Sequence, residues 1–536
     1  MQELRWRIEL ADGKVFTGVR EVTEGEVRVV CGLPEGKLRS VTAQMLFPLD
    51  GDDRVFVNGF QSWTNCPEYG RSDYIRSLRR LPGWGVRKFG LDRYGDNYFV
   101  PYPEKKGYFH GESWAYARRG EEYRLVASLD ETPGYTLIRL DYSAQLLTLE
   151  RDCGGMLCGG EFHAFDLYFA RGDEKTAFDG WFSALGVTPR TKEKLAGYSS
   201  WYNRYQDINE GCIASDLAAC APYLAPGDLF QIDDGWEPAV GDWLTPDASK
   251  FPRGLAPLAS EIHEKGFRAG LWLAPFVCQK DSEILKKNPD WLLRVDGKPW
   301  FCGANWGGFY ALDIDRKPVR DYLRQVFHQV LDEWGFDLVK LDFLYAAAPM
   351  GSEKESRAGR MIRAMDFLRE LCGEKLILGC GVPLMPAFGR VDYCRIGCDV
   401  GLDWDGSWLM QQTHRERVST RQSLENTVFR RELDGRAFGN DPDVFFLRSE
   451  NLKLTPEQKL VLARTNALLG SVWLTSDDMG RYSPETAEQY RQLRLLREAE
   501  GKKLRADGPI EIGYTLDGEE KTLTLDLSPA GRKGRK

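Results

Sequence analysis

A lysine and an aspartate stand two residues apart in the apolar segment 336–345 (FDLVKLDFLY). With the two-residue period of a strand, Lys340 and Asp342 share one face near the carboxyl end. The apolar run predicts a strand buried on both sides, as in a parallel sheet covered by helices. A nearby ammonium favours the ionised carboxylate, so we expect Asp342 to be charged, as a nucleophile or electrostatic stabiliser requires. The alternative interpretation is an ion pair that only closes the strand.

Further carboxylates and aromatic residues follow the other predicted strands. Sugars offer apolar ring faces that pack on aromatic side chains, and hydroxyls that donate to carboxylates, so this mixture favours a carbohydrate pocket. A phosphate site would need a glycine-rich loop or clustered arginines. The paired aspartates have an alternative interpretation as a helix cap. The candidate residues at these strand ends are Trp201, Tyr202, Asp233, Asp234, Trp272, Lys340, Asp342, Cys380, Arg395, Gly397 and Asp399.

Asp399 is the candidate proton donor. Hydrolysis of a glycosidic bond needs two carboxyl groups, one ionised and one protonated. Asp399 lies between the apolar Cys398 and Val400, so we expect burial to raise its pKa. Arg395 precedes it on the same predicted strand, where it is placed for the substrate or the nucleophile.

These residues are positioned by strands that alternate with long helical patterns from about residue 181. Eight strands with intervening helices are the pattern of a (β/α)8 barrel, whose reacting groups lie at the carboxyl ends of the strands. The predicted strands are 197–203, 228–236, 267–276, 336–345, 375–382, 393–400, 443–447 and 471–479. The predicted helices are 252–265, 317–334, 352–371, 415–431, 456–469 and 484–500.

The chain before the barrel reads as β structure, and a small β element follows it. Alternating runs between turn signals predict an antiparallel sandwich, with Trp63 as local core or reaching a neighbouring domain. The predicted organisation is a β-sandwich domain at 1–180, a catalytic barrel at 181–500, and a short β domain with a disordered tail at 501–536. The strands predicted outside the barrel are 15–19, 27–30, 54–57, 125–128, 135–141, 145–149, 162–169, 510–516 and 521–527.

Composition limits the classes of function. The 536-residue chain has a net charge of −8, which argues against a nucleic-acid partner. No apolar run reaches membrane-spanning length, and the first residues lack a secretory core. Twelve cysteines without such a signal predict reduced thiols and a cytoplasmic location. Five histidines outside any zinc-finger pattern argue against a metal site. We expect no cofactor, and the oligomeric state stays open.

Taken in order, the motifs resemble those of glycoside hydrolase family 36, the α-galactosidases of clan D. The resemblance implies an N-terminal β-supersandwich, a catalytic barrel and a C-terminal β-sandwich, although the last element is short here. The segments that carry it are 58–63 (NGFQSW), 200–203 (SWYN), 231–236 (QIDDGW), 270–276 (GLWLAPF), 340–342 (KLD), 395–399 (RIGCD) and 440–443 (NDPD).

By this resemblance the reaction is a retaining double displacement on a terminal α-galactosyl group of a small oligosaccharide. Asp342 would be the nucleophile and Asp399 the general acid, then base. Asp233 and Asp234 would bind the axial O4 and the O6 of galactose. Lys340 and Arg395 would hold O3 or O2 and orient the nucleophile. The remaining assignments are Trp272, Trp201, Tyr202 and Trp63 as pocket walls, and Cys380 and Gly397 near C2.

Three alternatives stay open. The C2 side is built from the small residues Cys380, Gly381, Gly397 and Cys398, which leaves room for an acetamido group and an α-N-acetylgalactosaminidase. A transglycosylase of the raffinose-synthase type would use the same two aspartates. A non-catalytic sugar-binding protein would need neither Asp342 as nucleophile nor Asp399 as proton donor, so it is disfavoured.

Overall fold

The first part of the chain is an antiparallel sandwich. The computed structural model describes residues 2–407, 411 and 414–527. The long strand Gly25–Leu46 pairs over its first half with Leu157–Gly172, and over its second half with Gln2–Leu10 and Leu146–Arg151, so it belongs to both layers. The other strands are Val15–Val22, Arg54–Val57, Tyr108–Glu112, Trp114–Arg119, Glu122–Ser128 and Thr136–Asp141.

The predicted β-rich beginning of the chain is therefore confirmed, with differences in detail. The prediction missed Gln2–Leu10, Tyr108–Glu112 and Trp114–Arg119. The stretch between Arg54–Val57 and Tyr108–Glu112 holds one short helix and two 3-10 turns. These are Gly83–Phe89, Leu78–Arg80 and Asp96–Tyr98.

Eight parallel strands form the barrel. Each pairs in register with the next, and the ring closes where the Ser471 amide donates to the Asn440 carbonyl at 3.0 Å. Their short apolar segments are buried by the helices outside and by one another inside. In chain order they are Leu195–Ser199, Leu229–Ile232, Arg268–Leu273, Leu338–Leu341, Leu376–Gly379, Tyr393–Arg395, Gly439–Asp441 and Val472–Thr475.

The predicted seventh strand was wrong. The strand is Gly439–Asp441, so the segment 440–443 lies at its carboxyl end and does not precede it. The apolar run predicted at 443–447 forms only one bridge, between Phe445 and Thr475. Asp443 has a φ of 74°, and this left-handed backbone turns the chain away from the ladder.

Helices surround the barrel. They start at recognisable caps, such as the Thr455 hydroxyl that accepts from the Gln458 amide. All six predicted helices are present, most of them with shifted ends. The helices are Glu174–Leu185, Trp201–Arg204, Glu210–Cys220, Ala256–Glu264, Glu283–Lys287, Lys317–His328 with a π turn at Gln329–Glu333, Arg357–Cys372, Leu384–Ala387, Thr420–Phe429, Pro456–Leu469 and Pro484–Leu495.

Three smaller sheets complete the described chain. One is the antiparallel pair of Arg294–Val295 with Lys298–Pro299. An insertion after the third barrel strand contributes the strands Val277–Gln279, Phe301–Gly303 and Phe309–Ala311. After the last helix, Glu500–Arg505, Ile510–Leu516 and Glu519–Leu525 form an antiparallel sheet, of which the prediction missed the first strand. The tail predicted to be disordered, beyond Ser528, lies outside the described residues.

Candidate active site

A cavity of about 370 Å³ opens at the carboxyl ends of the barrel strands. Eight of the predicted site residues line it: Trp63, Trp201, Asp233, Asp234, Trp272, Lys340, Asp342 and Asp399. The prediction missed further lining residues, which are Tyr94, Gln206, Cys302, Gly303, Asn305, Trp306, Phe309, Phe343, Tyr345, Glu416 and Val418, and had named Cys398 only as a small neighbour. The cavity thus joins carboxylates, one ammonium and several aromatic rings.

Asp342 follows directly on the fourth strand and is 9% exposed. Its Oδ1 accepts from the Phe343 amide at 2.8 Å, and its Oδ2 accepts from the Trp272 indole at 3.3 Å. Phe343 has a φ of 54°, a left-handed conformation that lets its amide turn back to the preceding carboxylate. Both oxygens are therefore held in place from the barrel itself.

Burial raises the pKa of Asp342, although the Lys340 charge and the Phe343 hydrogen bond oppose this rise. The expected effect of the Lys340 ammonium on Asp342 is therefore present, whereas the alternative of a direct ion pair between them was wrong. The Lys340 ammonium lies 2.8 Å from Oδ2 of Asp233, which follows the second strand. It acts on Asp342 only through its field.

Asp399 is held by an arginine four residues earlier. The Arg395 guanidinium donates from Nη1 to Oδ1 of Asp399 at 2.9 Å. The same guanidinium reaches Asp443 at 2.9 Å and Asp441 at 3.2 Å. The Asp399 side chain is 42% exposed, so the burial expected for it is absent. Arg395 itself is buried behind the cavity wall and aims Asp399 at the cavity.

Asp233 is the most completely bonded carboxylate in the site. Its Oδ2 accepts from Lys340 at 2.8 Å and from Gln231 at 2.6 Å, and its Oδ1 accepts from the Asp234 amide at 3.0 Å. Its own amide donates to the Ser200 hydroxyl at 2.9 Å. The bonds to Lys340 and Ser200 join the second strand's loop to the fourth and first strands.

Asp234 faces the insertion after the third strand. Its Oδ2 accepts from the Trp306 indole and from the Gln206 amide, each at 2.9 Å. Trp306 has a φ of 53° and its ring lies 6.1 Å from that of Trp272. The segment 300–310 is rich in aromatic residues, which was the available signal for this wall, but it has no regular period to place it.

The loop 58–66 of the first sandwich supplies the opposite wall. The Trp63 indole donates to the Cys380 sulfur at 3.3 Å, and its ring packs edge-on against Phe343 at 5.2 Å. The fully buried Arg430 fixes this loop, donating to the Ser62 carbonyl and to Oδ1 of Asn58, both at 2.8 Å. The alternative in which Trp63 reaches the neighbouring barrel is thus the one observed.

Four predicted site residues lie behind the cavity wall. Arg395 is one. Tyr202 donates to Oδ2 of Asp443 at 2.6 Å, and Cys380 accepts from Trp63. A side chain at Gly397 would meet Asn426 at 3.3 Å, because this glycine packs against the helix Thr420–Phe429. Gly397 therefore faces away from the space where a sugar would bind.

Glu416 is a lining carboxyl that the sequence did not reveal. It accepts from the Thr64 hydroxyl at 3.0 Å, and burial raises its pKa to about 8. It comes from the helical pattern predicted at 415–431, in which nothing distinguishes it from a surface glutamate. The helix begins only at Thr420, so Glu416 lies in the loop before it.

The described residues hold no group of three or more side chains suited to a metal ion. All twelve cysteines, each within the described ranges, are free. In the described part of the chain, no helix combines the length and the apolar character needed to cross a membrane.

A (β/α)8 barrel with several carboxylates, an ammonium and aromatic walls in one cavity is typical of enzymes that act on carbohydrates. Comparison with known proteins narrows this class. The family model described as Melibiase matches residues 190–368. The α-galactosidase of Escherichia coli is 27% identical over 323 residues, which are 58% of this chain and 42% of that protein. The bifunctional α-galactosidase/sucrose kinase AgaSK of Mediterraneibacter gnavus is 31% identical over 192 residues, 34% of this chain and 20% of that protein.

Solved structures extend the likeness over the whole chain. The α-galactosidase TtGalA of Thermus thermophilus, in complex with p-nitrophenyl α-D-galactopyranoside, is 28% identical with a TM-score of 0.75, and the match covers 96% of this chain and 98% of that one. The family 36 α-galactosidase AgaA of Geobacillus stearothermophilus shares the fold at 15% identity and a TM-score of 0.57. The chain covers less than half the length of the curated relatives named above. The predicted resemblance to the α-galactosidases of glycoside hydrolase family 36 is confirmed.

Proposed function

We propose that this protein is a retaining, exo-acting α-galactosidase that removes terminal α-linked galactose from oligosaccharides. The observation that carries the proposal is that Asp342 and Asp399 line the same cavity, one held by the barrel strand and the other by Arg395. Relatives support the substrate class, since TtGalA was solved with p-nitrophenyl α-galactoside and with stachyose.

In the first step the ionised Asp342 attacks the anomeric carbon while Asp399 protonates the departing glycosidic oxygen. The amide of Phe343 and the indole of Trp272 keep the nucleophile fixed, which reduces the reorganisation needed for attack. In the second step Asp399, now a carboxylate, takes a proton from water, and that water attacks the galactosyl-Asp342 ester. The partial exposure of Asp399 suits this exchange of protons with solvent.

The sugar would be held by groups that the structure already orients. Asp233 paired with Lys340 presents one anion and one cation, and Asp234 presents a carboxylate between Trp306 and Gln206. The aromatic walls would pack against the apolar face of the ring. Because Asp342 must be ionised to attack and burial raises its pKa, activity should fall as the pH drops through that pKa.

The C2 side favours galactose over its 2-acetamido derivative. Space at Gly397 is filled by Asn426, and a side chain at Gly381 would meet the Trp63 ring at 2.8 Å. A Cβ at either glycine would therefore meet protein atoms, and neither glycine lines the cavity. Of the four small residues considered for C2, only Cys398 lines the cavity.

The test compares p-nitrophenyl α-galactoside with p-nitrophenyl α-N-acetylgalactosaminide, with Asp342→Ala as the control protein. We expect rapid release from the galactoside alone and none from the control. Preference for the acetamido sugar would overturn the substrate assignment. Specific binding of galactose without turnover would overturn the catalytic proposal, and transfer of galactose to an added sugar in preference to water would make the protein a transglycosylase.

We also propose that the enzyme works in the cytoplasm. Twelve free cysteines suit a reducing compartment, since such a chain would be exposed to disulfide formation outside the cell. Fractionation of the source cells, with the galactosidase activity as the marker, tests this location.

A further inference from the structure

One oxygen of Asp234 has no hydrogen-bond donor among the residues that the structure describes. This is Oδ1, which is fully buried, whereas Oδ2 accepts from both Trp306 and Gln206. A buried carboxylate oxygen without a donor is expensive, because nothing replaces the water that it loses. Asp234 lines the cavity, so an unsatisfied oxygen here bears directly on the site.

The neighbour that can satisfy Asp234 is another carboxyl group. Glu237 is 6% exposed and its side chain is in hydrogen-bonding contact with Asp234. Its Oε2 accepts from the Gly235 amide at 3.3 Å. Gly235 has a φ of 114°, and a side chain there would meet the backbone of Gln206 at 2.7 Å. The tight turn therefore brings the two carboxyls together.

Two adjacent buried carboxyls do not both ionise, so the pair shares a proton. Burial, reinforced by the Asp234 charge, raises the pKa of Glu237 well above its usual range, and burial also raises the pKa of Asp234. The ammonium groups of Lys340 and Lys250 bind other partners, so they do not neutralise the pair in place of this proton. Lys340 is bound to Asp233, and the Lys250 ammonium donates to the carbonyls of Gln206 and Gly235, each at 2.9 Å.

We propose that Glu237 is a positioning residue, whose carboxylic acid donates a hydrogen bond to Oδ1 of Asp234. This bond satisfies the buried oxygen and holds Oδ2 in the cavity between Trp306 and Gln206, where a sugar hydroxyl can reach it. The inference rests on the proposed function, because it assigns Asp234 to substrate binding. It adds that the affinity for substrate depends on one proton that never reacts.

The proposal predicts that the affinity for substrate falls as the pH rises. Below the upper pKa of the pair, one proton bridges Glu237 and Asp234 and the site is ordered. Above that pKa both groups are anionic, their repulsion displaces Asp234, and affinity is lost. KM for the α-galactoside should therefore rise at alkaline pH, while kcat changes less.

Substitutions at Glu237 separate this role from a structural one. In Glu237→Gln the amide nitrogen donates to Asp234 and the amide oxygen accepts from Gly235, without a titratable proton. We expect its KM at pH 6 to stay within about threefold of the wild type and not to rise at alkaline pH. Glu237→Leu keeps a side chain of similar volume but has no hydrogen-bond donor. Its KM should rise about tenfold or more at every pH, because Oδ1 of Asp234 is left as an unsatisfied buried acceptor. Equal damage from both variants, or a wild-type KM independent of pH, would overturn the proposal.

An infrared measurement tests the shared proton without any turnover. The wild-type minus Glu237→Gln difference spectrum should show the C=O stretching band of a protonated carboxylic acid at neutral pH. Absence of the band overturns the proposal even if the enzyme hydrolyses galactosides. If the band is present but the protein hydrolyses no galactoside, the shared proton is supported and only the proposed function is refuted.

Discussion

Arg395 donates to Asp399 across 2.9 Å, and its other two nitrogens bind Asp441 and Asp443. One buried guanidinium thus connects the carboxyl that faces the cavity with two carboxylates at the end of the seventh strand. Burial raises the pKa of Asp443 to about 6, although the Arg395 charge opposes it. The position of Asp399 is consequently set by the barrel's internal charges, even though Asp399 itself is partly exposed.

Replacement of the two proposed catalytic aspartates should give azide products of opposite configuration. In Asp399→Ala an activated nitrophenyl α-galactoside should still form the galactosyl-enzyme, and azide should attack it to give α-galactosyl azide. In Asp342→Ala azide should take the place of the nucleophile and give the β-anomer. Without azide, Asp342→Ala should be inactive, and Asp399→Ala should lose about 10² to 10⁴ in kcat/KM on unactivated galactosides. NMR of the products decides, and exchanged anomers would reverse the assigned roles.

Removal of the Lys340 ammonium should destabilise the protein as well as the substrate complex. Lys340→Met leaves Asp233 buried without its cation, although Gln231 still donates to it. Breaking a buried pair in this way costs about 3–5 kcal/mol, so the free energy of unfolding should fall by that order. Urea unfolding measures the change, with the exposed Lys265→Met as the matched control. An unfolding free energy equal to that of the control would show that the pair contributes little.

The Trp63 wall should affect KM more than kcat. Trp63→Ala removes the ring that packs on Phe343, and we expect KM for an oligosaccharide to rise about tenfold, the loss of one aromatic stacking contact. Trp63→Phe is the matched control, because it keeps an aromatic ring against Phe343 and loses only the indole that donates to the Cys380 sulfur, so it should change KM little. Steady-state kinetics on both variants measures this, and a large loss of kcat with unchanged KM would contradict it.

Glu432 should make the protein less stable as the pH rises. Burial raises its pKa to about 8 in the folded protein, from an ordinary value of 4.5. The folded state therefore holds this proton more tightly than the unfolded state, and between pH 4.5 and 8 stability falls by at most about 1.4 kcal/mol per pH unit from this group. Melting temperatures at pH 6 and pH 9 should differ less in Glu432→Gln than in the wild type, whereas the exposed Glu121→Gln should behave as the wild type does. An unchanged difference would show that Glu432 does not titrate in this range.

The periodicity of the apolar residues and the residue types at the strand ends were enough to predict the barrel and most of the carboxylates that line the cavity. Parallel strands buried on both faces are apolar runs with polar ends, and this pattern can be recognised in the sequence alone. The prediction of the seventh strand failed because only three residues pair there. The longer apolar run after Asp443 is buried in the core but does not form the hydrogen-bond ladder of a strand. Trp306 and Glu416 could not be predicted, since loops place them by tertiary contacts and no local period marks them. The burial expected for Asp399 failed because apolar neighbours in sequence do not decide which way a side chain at a strand end points.

The loop 58–66 has a consequence for engineering this enzyme. Its residues close one side of the cavity, yet they belong to the sandwich and are fastened to the barrel by Arg430. A barrel produced without residues 1–180 would keep both proposed catalytic aspartates. It would lack Trp63, and the barrel side chains that Trp63 covers would be exposed to water. Exchange of this loop between related chains, in contrast, would alter one wall of the cavity without touching the strand ends. The shape of this wall can therefore change separately from the chemistry at the anomeric carbon.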